Sequence, residues 1–377
     1  MNPTRVAVFT PLNRLAIASG VPRHIIEVVG GMLEDPSLDL EFFANREEAE
    51  RYLPVQGDLW NNARRVTFEP TVARMVRQWG IFNRPSFEAL GGEAEWLYLP
   101  ADGYVTTTRA KLAATIHDVY KLEPPVPGEN RLDHYRARLR HYVIYRRLAR
   151  NAERILTVSR FSADRIMHHL GVPASRIDLV YNGVSDSFFA PDLGQWDRVR
   201  VGLGLRDDEP YFVYMGGLKA KKNGPGIISA WRRFEARHPQ GRLVILGHHD
   251  EAMLAVAKRD LARAHFPTGV SDGDLAVLLA RSAALFFPSF YEGFGIPVVE
   301  AFAAGTTVVV SDIPALRELA SDLAIYVDPR SPDSMVAGLE RCLSEHDERP
   351  QRIAAGRSLA ANFTWEEVVR RVKKTFI

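Results

Sequence analysis

The chain has 377 residues, 46% hydrophobic and 25% charged, more than one comfortable core holds and suited to two domains. A net charge of +2 with a pI of about 8.6 is too mild for nucleic-acid binding by bulk electrostatics, and the single cysteine, Cys342, excludes a disulfide framework and points to a reducing compartment. No run of about 18 apolar residues is present to span a membrane, and MNPTRVAVFTPL lacks a charged leader before a long apolar core, so a cytoplasmic protein without a signal peptide is expected.

Taken in chain order, RVAVFT (5–10) reads as a buried strand and VPRHIIEVVGGML as the amphipathic helix after it. The stretch ASGVPRHI puts Gly20 just before that helix, where the backbone can approach a ligand closely. LDLEFF (38–43), LAATI (112–116), RILTVS (154–159) and IDLVY (177–181) continue the series of buried strands. After LAATI come His117 and Asp118. A histidine at a strand end can donate to a sugar hydroxyl or phosphate, or form a structural pair with the acid. The segment NRLDHYRARLRHYVIYRRLARNAER (130–154) is arginine-rich. Leu132, Tyr135, Leu139 and Tyr142 recur at helical spacing, so that face is assigned to the core. Arg136, Arg140, Arg146, Arg147 and Arg150 are then left for solvent, or for anionic phospholipid or a lipid-diphosphate acceptor. No aromatic platform motif argues for RNA, and no nucleic-acid partner is expected.

Residues 182–210 are rich in Gly, Asp and Pro without a clear period, and mark the boundary between domains. The strand pattern restarts with YFVYMG (211–216), RLVILG (242–247), ALFFP (284–288) and TTVVV (306–310). After YFVYM, Gly216 and Gly217 loosen the strand end. Lys219, Lys221 and Lys222 precede the helix GIISAWRRFEAR, which Asn223 can cap. Cations at a helix start oppose the macrodipole unless an anion lies between them, so a phosphate is implied; otherwise the lysines are a solvated cluster. The spacing is not that of a P-loop. After ALFFP, Gly293 and Gly295 lead into a helix with Pro297 in its first turn and Gly305 at its end. Glu292 and Glu300 bracket that helix start. Two acceptor-only groups suit a polyhydroxylated ligand; alternatively Glu300 is a surface residue and Glu292 a dipole partner. Asp272-Gly273-Asp274 reads as a helix start in preference to a metal site. His168-His169 and His248-His249 lack a third ligand at a metal spacing, and no metal is expected. The final segment TWEEVVRRVKKTFI (364–377) is a helix with Thr364 and Glu367 at capping-box spacing.

Continuous apolar strands alternating with helices argue for α/β architecture: two doubly wound parallel domains with a cleft between them. We place the first over residues 1–190, the second over 191–360 and a terminal helix over 361–377. In such sheets ligands bind beyond the carboxyl ends of the strands, where the singled-out residues lie.

PSFYEGFGIPVVEAFAAGTTVVVSD resembles the E-x7-E signature of the family 4 retaining glycosyltransferases, with Glu292 and Glu300 as its glutamates. YMGGLKAKKN is similar to that family's donor-phosphate loop, and TIHD (115–118), TVSRFSADRI (157–166), VYNGV (180–184) and FTWEEVV match its pattern in order. The resemblance spans nearly the whole chain. It implies the GT-B fold, two facing Rossmann-like domains with the donor on the second and the acceptor mainly on the first, and a final helix crossing back to the first. Carried over, Glu300 would bind the ribose hydroxyls and Glu292 would lie by the transferred sugar. The amides of Gly293, Phe294, Gly295 and Ile296 would hold sugar and diphosphate, Lys222 would neutralise the diphosphate, His117 would reach sugar or phosphate, and Gly20 would admit the phosphate. One departure stands out: many members carry an arginine directly after the first glycine of the phosphate loop, where this chain has Gly217. Lys219 or Lys221 is the candidate second cation.

The implied activity is metal-independent, retaining transfer of a hexose, mannose first, from a nucleotide sugar such as GDP-mannose. The acceptor would be a glycan or lipid-diphosphate-linked saccharide in surface polysaccharide synthesis. Arg136, Arg140 and Arg147 would serve the acceptor or an anionic membrane surface, as in peripheral attachment to the inner face of the plasma membrane. No cofactor besides the donor is expected. A UDP-sugar-dependent glucosyl- or N-acetylhexosaminyltransferase is the runner-up, a non-catalytic sugar-nucleotide-binding subunit a second, and a glycoside hydrolase using the two glutamates a third.

Overall fold

The computed structural model describes residues 3–16, 20–206, 209–345 and 347–377. Ala18 and Ser19 of the ASGVPRHI stretch lie outside them, whereas Gly20 opens the helix Gly20–Leu33. The chain divides into two compact units. The first comprises the described residues of Met1–Pro124, Arg131–Gly183 and Trp365–Ile377; the second comprises those of Pro125–Asn130 and Val184–Thr364. The division falls at Gly183 and Val184, a little ahead of the 190/191 boundary read from composition.

Among the described residues the first unit holds a sheet of seven strands. These are β1 (Thr4–Val8), β2 (Leu38–Asn45), β3 (Arg64–Phe68), β4 (Trp96–Leu99), β5 (Lys111–Ile116), β6 (Ala152–Thr157) and β7 (Ile177–Leu179), in the order β3-β2-β1-β4-β5-β6-β7. The second holds six: β8 (Tyr211–Met215), β9 (Arg242–Leu246), β10 (Ala264–His265), β11 (Ala284–Phe287), β12 (Val308–Ser311) and β13 (Ile325–Val327), in the order β10-β9-β8-β11-β12-β13. All pairings are parallel. The doubly wound α/β expectation is met, because parallel neighbours need crossover connections and those helices bury both faces.

Four strands escape the sequence pattern. β3 is an edge strand whose arginines are exposed, and β4, β10 and β13 have only four, two and three residues. IDLVY forms a strand over its first three residues alone, half-buried at the sheet edge and not buried as expected. The linker also folds more than its composition indicates. Trp196–Gly202 is a short helix whose Trp196 stacks on Tyr211 at 5.8 Å.

The terminal helix Trp365–Lys373 belongs to the first unit's core. Trp365, Val368, Val372 and Phe376 cluster with Ile25, Val28 and Met32 of the first helix. A Cβ on Gly31 would stand 2.7 Å from a Val369 methyl, so that glycine sets the approach of the two helices. Phe376 meets Trp96 and Tyr98 edge-on at 5.5 and 5.4 Å. Glu367 pairs with Arg370 and Arg371 along the exposed face of this helix. No described helix is long and apolar enough to cross a membrane.

Candidate functional site

In the second unit the chain starts at β8, winds outward through β9 and β10, then crosses back to β11 and continues through β12 and β13. The winding reverses between the paired strands β8 and β11, and a parallel sheet opens its ligand crevice at such a reversal. Lys222 follows β8 and Glu292 follows β11. The structure brings them together: Lys222 Nζ donates to Glu292 Oε1 at 2.6 Å, with Glu292 buried and Lys222 partly exposed. A cation withdrawn from water needs an opposite charge, and Glu292 supplies it. The Lys222 stem crosses the strand end over Gly216, where a Cβ would press to 3.2 Å against its methylenes.

Gly216 (φ +120°), Gly217 (φ +73°) and Gly247 (φ +111°) all occupy conformations that favour glycine. The amides of Gly216 and Gly217 both donate to Leu246 O, at 3.1 and 2.9 Å, which draws the loop after β8 onto the end of β9. A Cβ on Gly217 would lie 2.0 Å from the His248 carbonyl oxygen. This backbone has no room for an arginine side chain at position 217. Lys221 sits over the Tyr291 ring at 5.3 Å. Partial burial and the charge of Lys222 hold Lys219 below the usual lysine range. His249 is occupied structurally, its Nδ1 accepting from the Leu218 N–H at 3.1 Å.

Asn223 holds the N-cap position of the helix Gly224–Arg237, but its side chain does not cap it. Its φ of +61° turns the amide away, and Nδ2 donates to the carbonyls of Pro288 at 3.0 Å and Pro329 at 2.7 Å. The asparagine therefore ties the loop after β8 to the chain just past β11 and β13. The left-handed conformation, which asparagine tolerates, makes that reach possible.

Gly295 sits at the start of the helix Ile296–Ala304 with φ +113° and brings no capping side chain. The positive end of that helix stays available to an anion. A Cβ on Gly295 would stand 2.8 Å from a Leu316 methyl. Phe294 is buried edge-on against Phe363 at 5.6 Å. Glu300 is only 2% exposed, so the surface-residue reading of it fails. Asp272 and Asp274 lie in the first turn of the helix Asp272–Arg281, as expected, but the cap is Ser271, whose hydroxyl accepts from the Asp274 N–H at 3.1 Å. Asp274 is paired with Arg198.

In the first unit, His117 follows β5 directly and is buried. Its Nε2 lies 3.1 Å from the Pro100 carbonyl. That oxygen can only accept, so the proton sits on Nε2 and Nδ1 carries a lone pair. Burial lowers the pKa, against the smaller opposing pull of the Pro100 bond and Asp118, and keeps the ring neutral. His117 can therefore accept a hydrogen bond from a hydroxyl at Nδ1, whereas the sequence reading had it donating. His24, which sequence reasoning missed, packs perpendicular to His117 with ring centroids 4.7 Å apart. Its Nδ1 lies 2.8 Å from Asn182 Oδ1, and burial, then His117, push its pKa down to about 3. The signal for it is its place one turn after Gly20, with the asparagine of VYNGV as partner. Ser159 caps the helix Arg160–Leu170, and Ser162 Oγ donates to the His117 carbonyl at 3.3 Å. Arg147 is occupied by carbonyls: Nε donates to Gly80 O at 2.6 Å and Nη2 to Ile81 O at 2.9 Å. Arg136 and Arg140 are exposed, Arg136 beside Asp133. Leu132, Tyr135, Leu139 and Tyr142, which the spacing assigned to the core, are exposed as well; the helix Arg131–Asn151 buries His134, Tyr145, Leu148 and Ala149 instead.

Residues 197–359 match the family model described as Glycosyl transferases group 1, and residues 18–188 the model described as Glycosyltransferase Family 4. The O-antigen chain mannosyltransferase B of Escherichia coli is 29% identical over 57% of this chain and 58% of its own length. The MMP alpha-(1->4)-mannosyltransferase of Mycolicibacterium hassiacum is 30% identical over 59% of this chain and 53% of its own length. The matches thus span little more than half the length of these relatives. In fold, the chain is similar to a sucrose-phosphate synthase from Thermosynechococcus elongatus, with a TM-score of 0.75 at 17% identity over 99% of this chain and 98% of the other.

Proposed function

Because the chain belongs to the family 4 glycosyltransferases of GT-B fold, we propose that it moves a hexose, with mannose favoured, from a nucleotide sugar to a glycan or lipid-linked saccharide with retention. The observation that carries this reading is the Lys222–Glu292 pair at the reversal between β8 and β11, on a loop whose glycines leave backbone room for a ligand. The mannosyltransferase relatives support the sugar, and GDP is the favoured base.

In the proposed step the bond from the anomeric carbon to the diphosphate breaks, and a bond from that carbon to the acceptor oxygen forms on the same face. The acceptor proton passes to the departing phosphate oxygen. Negative charge grows on the diphosphate, and Lys222 and the start of the helix Ile296–Ala304 offset it without a metal ion. Glu292 gives up Lys222 to the incoming diphosphate and turns to the sugar hydroxyls, while buried Glu300 takes the ribose. His117 accepts from a hydroxyl through Nδ1.

The test is transfer from GDP-mannose and from UDP-glucose to a lipid-diphosphate saccharide, with the product anomer read by NMR and with chelator present. Retained configuration, a GDP-mannose preference and indifference to chelator are expected. Lys222→Ala should lower kcat by ~10²-fold, as removal of one charge-stabilising donor does. UDP-glucose turnover alone would move the base assignment. Cleavage of simple glycosides without nucleotide would replace the transferase reading with a hydrolase. Nucleotide binding without turnover on a panel of acceptors would leave a binding subunit.

A further inference from the structure

His24 lies one turn inside the helix Gly20–Leu33 and is fully buried. Its Nδ1 stands 2.8 Å from Asn182 Oδ1. An amide oxygen can only accept, so Nδ1 carries the proton and Nε2 a lone pair. Among the described residues that Nε2 has no hydrogen-bond partner. A buried imidazole with one nitrogen unpaired is costly, and a phenyl ring would fill the same space without the cost. What a phenyl ring would lack is the bond to Asn182. That bond ties the first helix to the chain three residues past β7 and fixes the His24 ring in its plane.

His117 gains from a fixed neighbour. Its carbonyl is held by Ser162 Oγ at 3.3 Å, and its Nε2 donates to Pro100 O at 3.1 Å. One hydrogen bond fixes a nitrogen but not a plane. The ring can still swing about the N–H···O axis, and the Nδ1 lone pair swings with it. His24 closes that freedom: the two rings meet at 90° with centroids 4.7 Å apart, a favoured edge-to-face geometry. The Trp365 indole packs on His24 as well, at 6.1 Å and 71°. The backbone beside Asn182 is equally confined, since a Cβ on Gly183 would stand 2.6 Å from the Trp365 ring. Burial keeps both imidazoles neutral, so neither repels the other.

We propose that His24 and Asn182 are positioning residues: Asn182 anchors His24, and His24 holds the imidazole plane of His117 so that its Nδ1 lone pair stays aimed at a substrate hydroxyl. The hydroxyl rests on the transferase reading; the ordering of the His117 ring does not, and the two are measured separately. The full chain is isotope-labelled at its histidine nitrogens, and His117 is assigned by the signal lost in His117→Gln. Without substrate, wild type should show one His117 tautomer, protonated at Nε2 and bare at Nδ1. His24→Ala should draw the two nitrogen shifts together, as interconverting tautomers do, and His24→Phe, which keeps a flat ring, should restore the single form. In the transfer assay His24→Ala should lower kcat ~10-fold or more, as a small misplacement of a working group does. The KM for the nucleotide sugar should stay within about 2-fold, and His24→Phe should recover most of the loss. Thermal transitions check folding. If His24→Ala does not fold, Asn182→Ala leaves both rings in place and should give smaller changes of the same sign. A purely structural role would lower the transition and leave the His117 shifts and the kcat of folded protein unchanged, which overturns the proposal. Disordered His117 shifts with wild-type kcat would overturn it too. Absence of transfer by wild type, with the shifts still disordered in His24→Ala, would overturn the transferase reading and leave the anchoring of His117 in place.

Discussion

Gly217 shows how one missing side chain shapes the site. Its left-handed backbone and the carbonyl 2.0 Å from where a Cβ would lie leave only glycine there. Gly217→Ala should cost about 1–3 kcal/mol, seen as a fall of several degrees in the thermal transition of the second unit. Gly217→Arg should not tighten nucleotide binding, because its backbone must first move off His248; calorimetry with GDP and UDP measures this. The Lys222–Glu292 pair leads to a second expectation. If Glu292 competes with diphosphate for the ammonium, Glu292→Gln should bind nucleoside diphosphate at least as tightly as wild type and turn over more slowly. A parallel loss of nucleotide affinity would place Glu292 in nucleotide binding instead. The residue types at both positions are legible in the sequence. Their pairing is not, because 70 residues separate them.

Among the elements, the loop between β4 and β5 is held by one carboxylate. Glu88 accepts from the Thr107 hydroxyl at 2.7 Å, the Thr108 hydroxyl at 2.9 Å, and the amides of Thr108, Arg109 and Ala110 at 2.9–3.1 Å. Burial alone would raise its pKa; the hydrogen bonds outweigh burial and hold it well below the usual range. A group depressed in the folded state stabilises above its unfolded value of about 4.3 and loses that contribution as pH falls toward the native value. The Tm gap between wild type and Glu88→Gln should therefore be constant from about pH 7 to 5 and narrow below about 4. A gap independent of pH would assign the effect to shape and not to charge. Element types were readable wherever apolar runs were long, as in β2, β8 and the helix Gly224–Arg237. The short strands β10 and β13 lack enough residues for a period, and the helix Arg131–Asn151 has a spacing that suits two faces equally.

For the molecule as a whole, two separate sheets imply that a ligand held by one stabilises that one. A nucleotide at 100 times its Kd should add about 2.7 kcal/mol, a rise of roughly 5–10 °C for a unit of this size. Hydrogen exchange should slow at the loops after β8 and β11 and not along β1 to β7. Comparing GDP, UDP and ADP then identifies the base. Protection confined to the first unit would remove the second from the donor role.

Periodicity and residue type by themselves determined the α/β class and singled out the strand-end loops that carry Lys222, Glu292, Glu300 and His117, because these are local properties of short stretches. Tertiary structure alone decided which loops meet, that Asn223 ties strands instead of capping a helix, that His24 leans on His117, and which face of the arginine-rich helix is covered. Those outcomes depend on what packs against a residue from distant parts of the chain, and a spacing rule carries no information about the neighbour.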